Sequence, residues 1–379
     1  MVKPRKKWLL ITLATAVALF LLIDRALIPA LASRTDPYQP FKLLSQVVYL
    51  VKNDYVEKPD AARTMQGALK GLVDSLDILS SYLGPEHVGL YRDRGDPGLW
   101  ETGLILYKSF GVFPVVIGIK PGSPAEKEGI RIGDSISAID GESTLGMSML
   151  EANLATKDRT EAPVVLRLVR AQGDQNIELT RTKPEETRFE HRAEEGTAGI
   201  LTVHSLFPPL VDQVKEKLSG IPARGFPLIL DFRYCGDGSL DEAVRFVNLF
   251  VKHKRIGWLE GRDGARTTLS ASAEPEYPRF PLIVWTAQTT IGPAEIAAAA
   301  LQKYREARVV GRPTLGLGAR RDLFPLEDGS AVVLTTGVFR LEDKTEFWTK
   351  GLLPDTALEQ SAPDRAAYLK ATLENESKR

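Results

Sequence analysis

Few side chains in this sequence are placed for covalent chemistry. Cys235 is the only cysteine and stands in the glycine-bearing turn Tyr234-Cys235-Gly236-Asp237-Gly238. By type it is the most reactive group, because a thiolate attacks readily once its pKa is lowered. A lone cysteine serves more often as a small buried apolar residue. Thr289 and Thr290 offer hydroxyls just ahead of a helix start, but no lysine accompanies them, and Lys303 lies well beyond that start. The four histidines, His87, His191, His204 and His253, are scattered and show no metal-ligand spacing. His204 follows a strand pattern, as core and edge histidines do. One cysteine permits neither an intrachain disulfide nor a cysteine-based metal site. Gly316-Leu317-Gly318 is too short a match for a nucleotide-binding loop. No metal and no cofactor are expected.

The helix start itself is well formed. In Thr289-Thr290-Ile291-Gly292-Pro293-Ala294-Glu295-Ile296, Gly292 can cap, Pro293 suits the first helical position, and Glu295 complements the N-terminal dipole. Downstream comes Gly311-Arg312-Pro313-Thr314-Leu315-Gly316-Leu317-Gly318. Together these segments resemble the paired signature of the S41 (C-terminal processing, tail-specific) serine peptidases, GTASASEI and GEPTYGKG. The resemblance puts the nucleophilic serine at Gly292 and the general-base lysine at Leu317, and the separation 317 − 292 = 25 matches the family. The glutamine that orients the lysine falls at Arg321, which stays protonated and cannot serve as a base. Relatives carry NNPGG near the oxyanion site, where Asp237 here would set a negative charge.

A Ser/Lys peptidase needs a hydroxyl on a sharp turn, an amine of lowered pKa beside it, and backbone amides for the oxyanion. Gly292, Leu317 and Arg321 supply none of the side chains. The chain is therefore expected to have the family's architecture without its hydrolytic chemistry. The competing reading is an active S41-type endopeptidase with an unrecognised nucleophile.

Residues from about Thr197 alternate strand and helix patterns. Strands are expected at Gly199–Val203, Phe226–Arg233, Leu282–Trp285 and Arg308–Val310, and helices at Leu210–Leu218, Ser239–Val251 and Ile296–Lys303. This order predicts an α/β layered domain. Asp231-Phe232-Arg233 resembles the family's DLR and Gly351-Leu352-Leu353-Pro354-Asp355 its GIEPD, which implies a layered ClpP/crotonase-like S41 domain over 184–379.

Ahead of it, Val115–Ile119, Pro121-Gly122-Ser123-Pro124-Ala125, Gly133-Asp134 and Asp140-Gly141 place turn residues at the offsets of a PDZ domain, assigned to 99–183. A helix is expected over Ser148–Thr156 and a strand over Val164–Leu168. PDZ domains add an extended peptide as a strand and hold its carboxylate on backbone amides. The corresponding loop here is Glu101-Thr102-Gly103-Leu104-Ile105, so Thr102, Gly103, Leu104 and Ile105 are the expected peptide-binding residues. One glycine of the family's GGIGI-like run remains.

Residues 33–98 read as a helical arm, with apolar steps at Leu43, Leu44, Val47, Val48 and Val51 and at Leu69, Leu72 and Leu76. Asp74-Ser75-Leu76-Asp77 with Ser80-Ser81-Tyr82-Leu83 resembles the family's SLDPHSSYL element. The resemblance implies an arm that makes dimer contacts, with another copy or with an active S41 relative. In all it spans about residues 41–358.

At the N-terminus Lys3, Arg5, Lys6 and Lys7 precede a largely apolar stretch of 16 residues, 8–23. That is close to the roughly 20 needed for a membrane span, and the positive cluster stays cytoplasmic. Ala30-Leu31-Ala32 offers a cleavage pattern, but Asp24-Arg25 intervenes and favours an uncleaved anchor. Residues 1–32 are thus a signal anchor, or a signal peptide if cleaved, with the bulk of the chain extracytoplasmic. Lys+Arg and Asp+Glu both number 49, so no basic field for nucleic acid is present.

Overall fold

A computed structural model describes residues 39–96, 98–183, 188–221, 225–252, 255–270, 276–277, 280–342, 347–359 and 364–376. The expected anchor (8–23), the cleavage pattern (30–32) and His253 lie outside these residues. Among the described residues no helix is long and apolar enough to cross a membrane. The chain divides into two compact units, residues 1–65 and 66–379.

In the first unit the helix Gln39–Asp54 has no buried residue. Phe41, Leu43, Val47, Tyr49 and Leu50 are all exposed. The next helix, Ala61–Asp74, runs across the division between the units.

The described residues of the second unit form three sheets. The central one has the order 356–357, 308–311, 282–286, 228–231, 199–203, 189–192. Its middle strands are parallel, with Leu228 opposite both Gly199 and Leu282. Leu228–Asp231 is buried throughout, as a parallel strand covered on both faces must be. The helices Leu210–Ser219, Leu240–Asn248 and Pro293–Arg305 cover one face through Leu210, Val214, Phe246, Ile296 and Ala300. The C-terminal helix Arg365–Glu376 covers the other, with Tyr368 packed on Trp285 at 5.2 Å between ring centroids. Trp285 Nε1 also donates to Thr372 Oγ1 at 3.0 Å, and Tyr368 OH to the Thr286 carbonyl at 2.7 Å. The expected strand–helix order is thus present, with shifted ends. The helix after the elbow begins at Pro293 rather than 296 because the proline itself occupies the first turn.

A second, antiparallel sheet joins 81–83, 331–340, 255–260 and 266–270, with 319–325 on the far side of 331–340. Here the expectation of a helical arm extending to residue 98 is corrected. Ser81–Leu83 is a fully buried strand paired antiparallel with Ala331–Val333. Asp77 sets it up: its carboxylate accepts the N–H groups of Leu79 and Ser80, each at 2.8 Å, and the Thr335 hydroxyl at 3.0 Å.

The PDZ sheet runs 104–107, 115–119, 135–139, 164–170 and 173–179. Its apolar core includes Leu106, Val116, Ile136, Leu166 and Leu168. The helix Met149–Ala155 closes it and starts on a capping box, Ser148 with Glu151. Glu151 is fully buried, and Lys70 Nζ lies 2.8 Å from its Oε1. Asp74 is next to this pair, and burial, reinforced by the Glu151 charge, raises its carboxyl from 3.8 to about 6.

The folded state therefore holds the Asp74 proton more tightly than the unfolded chain does. Stability then falls as pH rises from about 4 to about 6. Asp74→Asn should remove that slope. Urea unfolding of both proteins across pH 4–7 checks it, with wild type expected to lose stability relative to the variant over that interval.

Candidate functional site

The strand Leu282–Thr286 leads into the turn 287–291 and then into the helix Pro293–Arg305. At the apex sits Gly292, with φ 62° and ψ −118°. This is the sharp, strained strand-to-helix turn on which hydrolases present a nucleophile. A β-carbon built at Gly292 would meet only the Leu317 carbonyl oxygen, at 3.9 Å. There is room for a side chain, and none is there.

Glu295 does more than complement the helix dipole, which is all the sequence suggests for it. It is completely buried. Its carboxylate accepts the N–H of Gly292 at 3.1 Å, of Gly316 at 2.7 Å and of Leu317 at 2.7 Å. Burial pushes its carboxyl above the ordinary range, against the pull of these donors and of the Thr314 hydroxyl. The loop bearing the base position is thereby tied to the elbow bearing the nucleophile position.

Leu317 is 3% exposed and packs with Leu79, Met149 and Ala319, flanked by Ile291, Leu315 and Trp348. The position that the resemblance gives to the base amine is here apolar packing, and through Met149 it reaches the PDZ helix. Arg321, on the strand Ala319–Pro325, lines the same cavity as Gly292 and Leu317. The three positions picked from sequence line one cavity, and their side chains are a hydrogen, an isobutyl group and a guanidinium.

The candidate replacements fare no better. The Thr290 hydroxyl donates to the Phe232 carbonyl at 2.9 Å, and that of Thr289 to the Arg233 carbonyl. Lys303 lies ten residues along the helix from Pro293, about 15 Å away at 1.5 Å per residue. Cys235 is fully buried, and burial, aided by the Asp237 charge, raises its thiol far above the usual range. It is the small apolar residue that its isolation suggests. Asp237 accepts the Gly238 N–H at 2.9 Å and lies 3.8 Å from Arg94 Nε. The Cys235 carbonyl receives the Ile291 N–H at 3.2 Å, so the Asp237-bearing turn adjoins the elbow. His204 is 3.7 Å from Glu190 and His87 3.4 Å from Glu86. Among the described residues no group of three His, Cys, Asp or Glu could hold a metal ion.

The PDZ loop stands over this site. Thr102 is fully buried, and Leu104 and Ile105 are nearly so. Gly103 has φ +82°, and a β-carbon there would strike Ser123. Leu104, Ile105, Met149 and Asn153 line the same cavity of about 870 Å³ as Gly292, Leu317 and Arg321. A β-carbon on Gly118 would collide with the Thr289 side chain, so the PDZ sheet rests directly on the elbow. Sequence reasoning did not find Met149 or Asn153. Both sit on the helix predicted over 148–156, but nothing local marks which face meets the core.

Replacing Glu295 by alanine should strand three buried N–H donors, and each orphaned group costs about 1–3 kcal/mol. A loss of roughly 3 kcal/mol or more in urea unfolding is expected. Glu295→Gln keeps an acceptor and should lose less. Equal stability of Glu295→Ala and wild type would refute the tie.

Residues 198–358 match the model of Peptidase family S41, and residues 115–180 match a PDZ domain model. The carboxy-terminal processing protease CtpA of Bacillus subtilis (strain 168) is 29% identical over 364 residues, covering 94% of this chain and 77% of that protein. The carboxy-terminal-processing protease of Bartonella bacilliformis is 27% identical over 348 residues, covering 89% and 79%. Among solved structures, the photosystem II D1 C-terminal processing protease superposes with a TM-score of 0.65 at 23% identity, over 82% of this chain and 86% of that one. That likeness establishes the shared fold of a layered peptidase domain with an inserted PDZ domain. With both domain models matched in this order and the fold shared, residues 198–358 form a Peptidase family S41 domain that follows a PDZ domain.

Proposed function

We propose that this S41 homologue does not hydrolyse peptide bonds and instead binds protein C-termini through its PDZ domain. The observation that carries this reading is the elbow. Its strained geometry is retained at Gly292 with no hydroxyl, while the base position is filled by the packed side chain of Leu317. The names of the relatives describe proteases that process carboxy termini. This chain would share their recognition of tails and lack the attack that follows. Among the described residues, the hydroxyls of Thr289 and Thr290 are committed to carbonyls and Cys235 is sealed.

In the same reading the protein acts as a scaffold or regulator in the cell envelope, anchored by residues 8–23 with its remainder extracytoplasmic. The helix Gln39–Asp54 exposes Phe41, Leu43, Val47 and Leu50. Such an apolar face suits pairing with a second copy or with an active S41 peptidase.

The purified chain should show no turnover of casein or of fluorogenic peptides and no adduct with a fluorophosphonate probe, followed by intact-mass spectrometry. A stoichiometric adduct on any residue would reverse the proposal. Gly292→Ser should remain inactive, since Leu317 supplies no base. It should also lose about 1–3 kcal/mol of stability, because a side chain is placed at a positive φ.

A further inference from the structure

The groove strand Leu104–Tyr107 pairs on one side with Val115–Ile119. On its other side lies the helix Met149–Ala155, across the gap where a PDZ domain takes up a peptide strand. Leu106 turns its N–H and its C=O to that helix. Asn153 meets both: its Oδ1 accepts the Leu106 N–H at 3.1 Å, and its Nδ2 donates to the Leu106 carbonyl at 2.9 Å. The second Nδ2 proton goes to the Met149 carbonyl at 2.8 Å, which fixes the carboxamide to its own helix. In an antiparallel ladder, two residues of a hydrogen-bonded pair exchange one N–H···O bond in each direction. The Asn153 carboxamide reproduces that exchange with a side chain.

We propose that Asn153 is a built-in competitor for the peptide-binding edge of the PDZ domain. An extended peptide adds to the strand only after this carboxamide has swung off Leu106. The inference deepens the tail-binding reading above and rests on it. The ligand class is an extended chain with a free C-terminal carboxylate and apolar final residues, matching Leu104, Leu106, Leu150 and Leu154, which line one cavity with Asn153. A bound strand exchanges hydrogen bonds with Leu106 that Asn153 already makes, so the exchange itself gains little. Removing the competitor should return the value of two neutral hydrogen bonds to the ligand, about tenfold or more in affinity.

The test uses the full chain and a fluorescein-labelled decapeptide ending in Leu-Val-Leu with a free carboxylate, read by fluorescence anisotropy. Wild type, Asn153→Ala and the isosteric Asn153→Asp are compared. The aspartate keeps an acceptor and loses the donor, so it opens the edge with little change in packing. Hydrogen-exchange mass spectrometry of the segment 104–107 is run on each. The expected result is at least tenfold tighter binding by Asn153→Ala, a smaller gain for Asn153→Asp, and faster exchange at 104–107 in both. Equal affinity in all three proteins would overturn the competitor and leave tail binding standing. Absence of binding in all three, with exchange at 104–107 accelerated in the variants, would overturn the tail-binding reading and this inference with it.

Discussion

The arrangement of the site depends on one buried carboxylate. Glu295 gathers the N–H groups of Gly292, Gly316 and Leu317. These come from two segments more than twenty residues apart, and each would otherwise be a buried donor without an acceptor. The elbow keeps its positive φ because the helix start is held from both sides, by Pro293 in sequence and by Glu295 across the loop. The backbone frame of the elbow is thus held by a glutamate, with neither a serine at 292 nor a lysine at 317.

Leu317 holds its loop by packing. It joins Leu79, Met149 and Ala319 in one apolar cluster. Those residues come from the segment before the first strand, from the PDZ helix and from the strand after the loop. Full burial of one such side chain contributes about 1.5–3 kcal/mol, here directed at holding the PDZ domain to the core. Gly118 meeting Thr289 adds a second contact between the PDZ sheet and the elbow. The base position is thus filled by packing, while the cavity beside Gly292 stays open.

Much of this was legible in the sequence, and for a physical reason. Turns and helix starts are punctuated locally by glycine and proline, so the elbow, the loop with Leu317 and the PDZ turns could be placed by offset alone. The parallel strands appeared because both their faces are apolar. Two kinds of feature escaped. Ser81–Leu83 is too short to show a period of two, and its pairing with residues 331–333 lies some 250 positions away. The partners of Glu295, Leu317 and Asn153 are fixed by tertiary approach, which leaves no trace in the spacing of residues along the chain. Glu295 reads locally as an ordinary third-position cap, and Asn153 as an ordinary polar helix residue.

The C-terminal helix carries a further implication. Tyr368 and Thr372 hold Thr286 and Trp285, the end of the strand that feeds the elbow, and Arg233 lies 4.6 Å from the Tyr368 ring. Trp285 is synthesised more than eighty residues before the side chains that cover its outer face, so shielding of its indole waits on Tyr368 and Thr372.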